Sequence, residues 1–196
     1  MNTSSFNRSV HCAVLLAGGL SSRMGDDKAL LKRGSETLLD YGVRQLKATK
    51  SNQVYISRNE PGFLNDCYRN FGPISGIHAC LMALAESEQQ FLTILPVDMP
   101  LMTSEQIMSL QDAAEQHQLP VYFEPSVLPA VIPVTVEIKQ YFQTVVEGHE
   151  SAALWRFMKK FNGVSINCEN NNLLVNTNTP TEWQAFEQTY RGYYGT

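Results

Sequence analysis

Cysteine is sparse in this sequence, and its placement argues against the usual cysteine-based sites. The four cysteines among 196 residues form no C-x-x-C pair and no zinc-finger spacing. An even number would permit disulfides, but a chain of this length can bury a core of its own and needs no such cross-links. We therefore interpret the thiols as reduced and buried, as in the cytoplasm; they are Cys12, Cys67, Cys80 and Cys168.

The sequence also lacks an excess of positive charge and any long apolar run. Its 15 Lys and Arg residues stand against 19 Asp and Glu residues, for a net charge of −4, whereas nucleic-acid binding favours a basic surface. No stretch approaches the roughly 20 apolar residues of a membrane span. The apolar run from Cys12 to Ala17 is too short for a signal-peptide core. We expect a soluble, cytoplasmic protein without nucleic-acid or membrane partners.

Short apolar runs alternate with longer helical patterns along the chain. Strands are predicted at 12–17, 54–56, 91–97, 120–123, 127–134, 164–166 and 173–175, and helices at 37–48, 77–85, 104–116, 136–146, 152–161 and after Pro180. This alternation predicts an α/β fold of three layers, in which a mostly parallel sheet carries helices on both faces. The proline-rich middle predicts an antiparallel or mixed part of that sheet. At this length we expect a single domain over residues 1–196.

A glycine-rich segment follows the first predicted strand. Gly18 and Gly19 would let backbone N–H groups approach an anion, at the edge of the sheet where ligands of parallel sheets bind. The spacing differs from G-x-x-x-x-G-K-[ST], because Ala29 follows Lys28, and from G-x-G-x-x-G. We predict a phosphate loop of a different kind, in which Arg23 and Lys28 neutralise a triphosphate. The alternative is a tight turn with a surface Arg and Lys.

Four sequence blocks together resemble the molybdenum cofactor guanylyltransferases. The first reads L-A-G-G-L-S-S-R-M-G-D-D-K-A-L over 16–30, and G-P-I-S-G over 72–76, P-V-D-M-P over 96–100 and N-T-N-T-P over 176–180 follow in the same order. The first block is also similar to the wider group of nucleotidyltransferases that act on sugars, pterins and alcohols. Because the blocks extend across nearly the whole chain, the set is more specific than any one of them. The resemblance implies a Rossmann-like nucleotidyltransferase fold.

The resemblance also implies an activity. This is the transfer of GMP from GTP to molybdenum-molybdopterin, with Mg²⁺ as cofactor and pyrophosphate as the leaving group. The nucleotide would bind to the half at about 10–117 and the second substrate to the half at about 118–196. The partners implied are GTP and molybdopterin, with other molybdenum-cofactor assembly proteins or recipient molybdoenzymes on the protein side.

Two kinds of alternative remain open at this point. The first is the same chemistry with another pair of substrates, either CTP with molybdopterin or a nucleotide with a sugar phosphate. The second belongs to a different class, a non-catalytic accessory protein that binds the nucleotide or the cofactor. The intact Lys28 and Asp98 argue against the second alternative.

Asp98 follows a predicted buried strand, where a carboxylate can bind Mg²⁺, which takes one or two protein carboxylates and fills its shell from water and phosphates. Capping of a turn before a proline is the alternative, and the resemblance favours the metal. Asn178 stands where relatives carry a metal-binding Asp. It would therefore either bind the metal through its side-chain carbonyl oxygen or contact one of the metal's other ligands. Asn176 and Asn178 are also assigned to the second substrate. A helix start with Thr179 as cap and Pro180 as its first residue is compatible with both roles.

Base recognition is assigned by the same resemblance. Ser57 stands where the guanylyltransferases carry an Asn, and Asp66, or alternatively Asn65, where they carry an Asp. A carboxylate suits guanine because it accepts from the N1–H and the exocyclic amine together. The predicted catalytic residues are Arg23, Lys28 and Asp98. The predicted nucleotide-binding residues are Leu16, Ala17, Gly18, Gly19, Ser21, Lys28, Ser57, Asp66, Gly76 and Asp98.

Overall fold

A computed structural model describes residues 9–18, 27–68, 70–84 and 90–194 of the chain. Its strands are β1 (His11–Leu16), β2 (Lys32–Arg33), β3 (Glu36–Thr37), β4 (Ser51–Ser57), β5 (Phe91–Pro96), β6 (Val121–Phe123), β7 (Ala130–Pro133) and β8 (Val164–Ile166). Its α-helices are α1 (Leu38–Lys47), α2 (Pro73–Ala83), α3 (Ser104–His117), α4 (Val136–Val146), α5 (Leu154–Lys160) and α6 (Pro180–Tyr194). One-turn 3₁₀ helices lie at Lys28–Leu30 and Asn171–Leu174.

Six strands form the main sheet, in the order β4-β1-β5-β7-β6-β8. β1 pairs in parallel with both β4 and β5, and β6 pairs in parallel with β8. β7 is antiparallel to both of its neighbours, so five strands share one direction and β7 opposes them. The predicted mostly parallel sheet with a mixed part in the proline-rich middle is confirmed.

The two faces of the sheet are covered by different helices. In β1 the side chains of Cys12 and Val14 face a core built with α2, α4 and α5, while Ala13 and Leu15 face a core shared with α1 and α3. A strand turns alternate side chains to opposite faces, so a run that is apolar at every position is suited to burial on both. The structure therefore has the three layers expected from the alternation of strands and helices.

Local signals set several helix starts. α4 begins after Thr135, whose hydroxyl accepts from the amide of Ile138, and α3 begins after Thr103, which accepts from Gln106. Such caps satisfy one of the amides that a helix start leaves unpaired. α2 begins at Pro73, four residues before the predicted start at 77, because Pro at a first helical position is well tolerated.

The predicted strand at 173–175 is wrong. A 3₁₀ turn occupies Asn171–Leu174 instead. The side chain of Asn170 accepts from the amide of Asn172, and the Asn170 carbonyl accepts from the amide of Leu173 at 2.9 Å. These bonds close a turn locally, and Asn is among the residues that form such turns with their own backbone.

All four cysteines are free thiols. Cys12, Cys80 and Cys168 are buried as expected, whereas Cys67 is exposed. Burial raises the pKa of the Cys12 thiol to about 12, so this thiol stays protonated and unreactive at neutral pH. In the part of the chain that the model describes, none of the helices combines the length and the apolar character needed to cross a membrane.

Candidate active site

Three strands end side by side at the carboxyl edge of the sheet. Leu16 at the end of β1 lies opposite Ser57 of β4 and Pro96 of β5. The amide of Ala17 donates to the Ser57 carbonyl at 2.9 Å, and the amide of Val97 donates to the Leu16 carbonyl at 3.0 Å. The segments that follow β1, β4 and β5 therefore start next to one another, at the edge where parallel sheets bind ligands.

Lys28 lies at the centre of this edge. Its Nζ donates to Asn178 Oδ1 at 2.8 Å and to Asp98 Oδ2 at 3.3 Å. The Lys28 and Asp98 side chains are each 17% exposed, so solvent only partly screens the pair. The first, third and fourth sequence blocks thus meet at one ammonium group, which brings together three of the predicted site residues.

The backbone fixes Asp98 independently of its carboxylate. Thr177 is fully buried, and both its amide (3.0 Å) and its hydroxyl (3.3 Å) donate to the main-chain carbonyl of Asp98. This places the fourth block directly against the third through a main-chain atom of Asp98. Among the described residues the Asp98 carboxylate itself is paired with Lys28.

Asn178 is held by a residue that the sequence reasoning missed. Glu182 Oε2 accepts from the amides of Asn178 (2.6 Å) and Thr179 (2.9 Å), and the Glu182 amide donates to the Thr179 hydroxyl at 3.2 Å. These bonds form a capping box at the start of α6. The amide of Asn178, ahead of that of Thr179, lowers the pKa of the Glu182 carboxyl. The pattern T-x-x-E over 179–182 was the signal available in the sequence, and the helix start at Pro180 was expected.

A second polar cluster surrounds Asp66. Ser57 Oγ donates to Asp66 Oδ1 at 3.3 Å, Asn59 Nδ2 donates to Asp66 Oδ2 at 3.0 Å, and the Asp66 amide donates to Asn59 Oδ1 at 2.9 Å. The structure thus brings Ser57 and Asp66 together and adds Asn59, two residues beyond the end of β4. Asn65, the alternative to Asp66, is exposed and donates to the carbonyl of Phe63.

Gly76 joins this cluster to β1. A Cβ at Gly76 would lie 2.3 Å from Ser57 Oγ and 2.8 Å from Leu16 Cδ2, with Ser57 Cβ at 3.0 Å. Ser57 is itself buried. The fourth residue of α2 therefore approaches the ends of β1 and β4 too closely for any side chain.

We expect Gly76→Ala to lower the free energy of unfolding by about 1–3 kcal/mol, the usual cost of overpacking. This exceeds the gain of up to about 1 kcal/mol that Ala has over Gly in a helix. Thermal unfolding measures the change. In the double variant Gly76→Ala/Ser57→Ala the nearest atom is gone, so part of the lost stability should return. A single variant as stable as the parent would contradict the steric argument.

Some of the remaining predicted site residues lie in the part of the chain that the structure describes, and others do not. Leu16 and Ala17 are at least partly buried at the end of β1, Gly18 is exposed just beyond it, and Asn176 is exposed two residues before Asn178. Gly19, Ser21 and Arg23 lie outside the described residues, so their roles stay predictions.

Oxygen donors near Lys28 fit a magnesium ion. The Asp98 carboxylate and the Asn178 side-chain oxygen both contact the same ammonium, so they lie close together, and both are ligand types that Mg²⁺ accepts. The described residues hold no group of three or more His, Cys, Asp or Glu side chains that could bind a metal. In general Mg²⁺ takes one or two protein carboxylates and completes its shell with water and substrate phosphates.

Residues 13–161 match the family model of the MobA-like NTP transferase domain. The chain belongs to this family. A protein of Xanthomonas euvesicatoria named molybdenum cofactor guanylyltransferase is 30% identical over 175 residues, which cover 87% of this chain and 90% of that protein. One of the same name from Shewanella baltica is 26% identical over 185 residues, covering 88% and 93%. The resemblance seen in the sequence blocks is confirmed.

Solved structures show the fold of this MobA-like chain. The molybdopterin-guanine dinucleotide biosynthesis protein A of Archaeoglobus fulgidus superposes with a TM-score of 0.73 at 16% identity, over 90% of this chain and 97% of that one. A 2-C-methyl-D-erythritol 4-phosphate cytidylyltransferase of Thermus thermophilus superposes with a TM-score of 0.66 at 14% identity, over 93% and 100%. The expected Rossmann-like nucleotidyltransferase fold is therefore confirmed, but these two structures do not distinguish between bases.

Proposed function

We propose that this protein transfers GMP from GTP to molybdenum-molybdopterin. A terminal phosphate oxygen of molybdopterin forms a bond to the α-phosphorus of GTP as the bond from that phosphorus to the pyrophosphate oxygen breaks. The products are the molybdopterin guanine dinucleotide and pyrophosphate. The observation that carries the proposal is the likeness to the Xanthomonas protein named molybdenum cofactor guanylyltransferase, which extends over 90% of that protein.

Lys28 is the proposed cation on the triphosphate. An ammonium can donate three hydrogen bonds, and two of them go to Asp98 and Asn178. These two bonds aim Nζ into the edge of the sheet, and the third proton is then directed to a phosphate oxygen. Charge builds on the departing pyrophosphate, so a cation held in place beforehand stabilises the transition state more than the ground state.

Asp98 and Asn178 are the proposed holders of Mg²⁺, and Arg23 is a proposed second cation on the triphosphate. When bound, the metal ion would neutralise charge on the reacting phosphates. The chain itself would orient the substrates: Leu16, Ala17, Gly18, Gly19 and Ser21 from the phosphate loop, and Asn176 with Asn178 toward the second substrate. This assignment uses the region at about 10–117 for the nucleotide and the region at about 118–196 for molybdopterin.

The proposed reaction is tested with purified protein, Mg²⁺, molybdopterin and one nucleotide at a time. We expect pyrophosphate release with GTP that exceeds release with ATP or CTP, and mass spectrometry should find the pterin heavier by one guanylyl group, which is GMP less one water. Omission of molybdopterin is the control that removes the acceptor. Pyrophosphate release with CTP and molybdopterin but not with GTP would support the alternative of cytidylyl transfer. Nucleotide binding without turnover would support an accessory protein.

Asp66 is expected to select guanine. A hydrogen bond to a charged group contributes about 1.5–3 kcal/mol, which corresponds to roughly 10- to 100-fold in affinity. Asp66→Ala should weaken GTP binding by that factor and CTP binding by about threefold or less. Asn65→Ala is the matched control, because Asn65 is adjacent, exposed and bonded to Phe63 rather than to Ser57. Isothermal titration measures all of these constants, and equal losses for both nucleotides in Asp66→Ala would argue against guanine recognition by this carboxylate.

A further inference from the structure

An ion pair between Arg58 and Asp27 lies beside the candidate active site. Arg58 follows β4 directly, and its guanidinium holds the Asp27 carboxylate as a fork, with Nη1 donating to Oδ1 at 3.3 Å and Nη2 donating to Oδ2. Nη2 also donates to Glu60 Oε1 at 2.7 Å. The Arg58 side chain is only 8% exposed, against 38% for Asp27 and 52% for Glu60. An arginine this buried, with its fork on a carboxylate, is a fixed structural cation and not a surface charge.

Asp27 links the fixed Arg58 side chain to the backbone of the turn that contains Lys28. Its Oδ1 accepts from the amide of Ala29 at 3.0 Å and so caps the 3₁₀ turn at Lys28–Leu30. The carboxylate to which Arg58 donates is therefore also the group that caps the turn containing Lys28. A displacement of Asp27 would move the Lys28 backbone and, with it, the ammonium that contacts Asp98 and Asn178.

Arg58 also lies against the beginning of the glycine-rich segment. A Cβ built on Gly18 would be 3.7 Å from Arg58 Cα and 3.5 Å from the Ser57 carbonyl oxygen. The Arg58 amide in turn donates to the Leu64 carbonyl at 3.0 Å, which anchors its backbone. The Arg58 backbone thus lies near the start of the segment, and the Arg58 side chain bonds to Asp27, directly before Lys28.

We propose that Arg58 is a positioning residue for nucleotidyl transfer, which holds Asp27 and thereby fixes Lys28 at the triphosphate site. The inference rests on the proposed function, because it takes Lys28 as the cation on the triphosphate. Arg58 also neutralises Asp27, whose free carboxylate would repel phosphates and compete for the neighbouring ammonium. The two carboxylates, Glu60 ahead of Asp27, raise the pKa of Arg58, so its charge is constant across the working pH range.

The variants Arg58→Gln, Asp27→Asn and the double variant test this role, with Glu60→Gln as the matched control. Glu60 is bonded to the same guanidinium but makes no bond to the Lys28 turn in the described residues. The measurements are kcat with GTP and molybdopterin, the dissociation constant of inorganic pyrophosphate by isothermal titration, and the melting temperature. Misplacement of a catalytic group by about 1 Å can cost about 100-fold in rate.

We expect Arg58→Gln to lower kcat by about 10- to 100-fold and to weaken pyrophosphate binding, while Glu60→Gln stays within about twofold of the parent in both. Asp27→Asn keeps the cap, since Asn caps as well as Asp, but it loses the ion pair and should lose about tenfold in kcat. In the Asp27→Asn background, Arg58→Gln should cost about threefold or less, because two residues that act through one contact are not additive. Arg58→Lys, which keeps the charge without the fork, should fall between the parent and Arg58→Gln.

Other results would overturn the inference. Losses in Arg58→Gln and Asp27→Asn that simply multiply would mean that Arg58 does not act through Asp27. A Glu60→Gln loss as large as that of Arg58→Gln would mean that the guanidinium only supports the local fold. Should Arg58→Gln not fold, the comparison of Asp27→Asn with Glu60→Gln decides, and equal kcat values would refute the role.

The two proposals fail in different ways. In the first case the parent binds pyrophosphate and Arg58→Gln weakens that binding, but no GMP transfer occurs. The proposed function then fails and the positioning role stands. If the parent transfers GMP and Arg58→Gln matches it in kcat, the positioning role fails and the proposed function stands.

Discussion

Lys28→Ala is expected to lower kcat by about 100- to 1000-fold, the cost of removing one preorganised donor from a site of developing charge. The Lys28 ammonium is held by Asn178 at 2.8 Å and by Asp98 at 3.3 Å. Its effect should therefore be greatest where charge builds on the departing pyrophosphate. The KM for GTP should rise more modestly, because the ground-state triphosphate keeps its other contacts.

Two further substitutions make this prediction specific. Lys28→Arg should rescue poorly, because a planar guanidinium cannot replace a compact ammonium between two side-chain oxygens. Lys32→Ala is the matched control, since Lys32 is exposed on the short strand β2 and should leave kcat unchanged. Steady-state kinetics with a pyrophosphate assay measure all three, and pterin fluorescence reports whether molybdopterin still binds. A Lys28→Ala enzyme within a few-fold of the parent would show that the phosphate loop is misassigned.

Asp98→Ala is expected to lower kcat by about a thousand-fold or more, because a metal ion contributes several kcal/mol of charge stabilisation and about 1.4 kcal/mol corresponds to tenfold in rate. The fold should survive. The contact that Asp98 makes with the fourth block is through its main-chain carbonyl, which accepts from Thr177, and the substitution leaves that atom in place.

Circular dichroism melts and Mg²⁺ titrations of the activity separate these two effects. The melting temperature should remain near that of the parent, while added Mg²⁺ should no longer stimulate turnover. Asp112→Ala is the control for loss of a carboxylate, because Asp112 is 65% exposed and pairs with Lys50, which is not one of the predicted site residues. Normal Mg²⁺-dependent release in Asp98→Ala would return this residue to a purely structural role.

Much of the candidate site was accessible from the sequence because its residues stand in short blocks. Lys28, Asp98 and Asn178 each belong to a block with its own pattern, and the blocks extend across nearly the whole chain. Asn59, Glu182 and Arg58 were missed. Each is recognised by a bond to another residue of the cluster: Asn59 to Asp66, Glu182 to the amide of Asn178, and Arg58 to Asp27.

The helices and strands show where local signals suffice. α4 occupies the predicted residues 136–146, with the cap at Thr135 directly before it, and β8 occupies the predicted residues 164–166. In both, the apolar pattern and the neighbouring residues agree. The predicted strand at 173–175 failed because Leu173, Leu174 and Val175 read as an extended apolar run, while the side chain of Asn170 closes a 3₁₀ turn over the same segment.

The sequence by itself determined the fold class, the first strand to within one residue at each end, and the family. The fold class and the strand depend on apolar periodicity that reaches only a few residues along the chain, and the family depends on four short sequence blocks. Only the tertiary structure decided that Lys28 meets Asn178, 150 residues away, and Asp98, 70 residues away. It also decided that Arg58 forms an ion pair with Asp27. The order β4-β1-β5 in the sheet brings the ends of three distant strands together, and the bonds from Thr177 to the Asp98 carbonyl bring the fourth block to the same place. No local pattern in the chain encodes this arrangement.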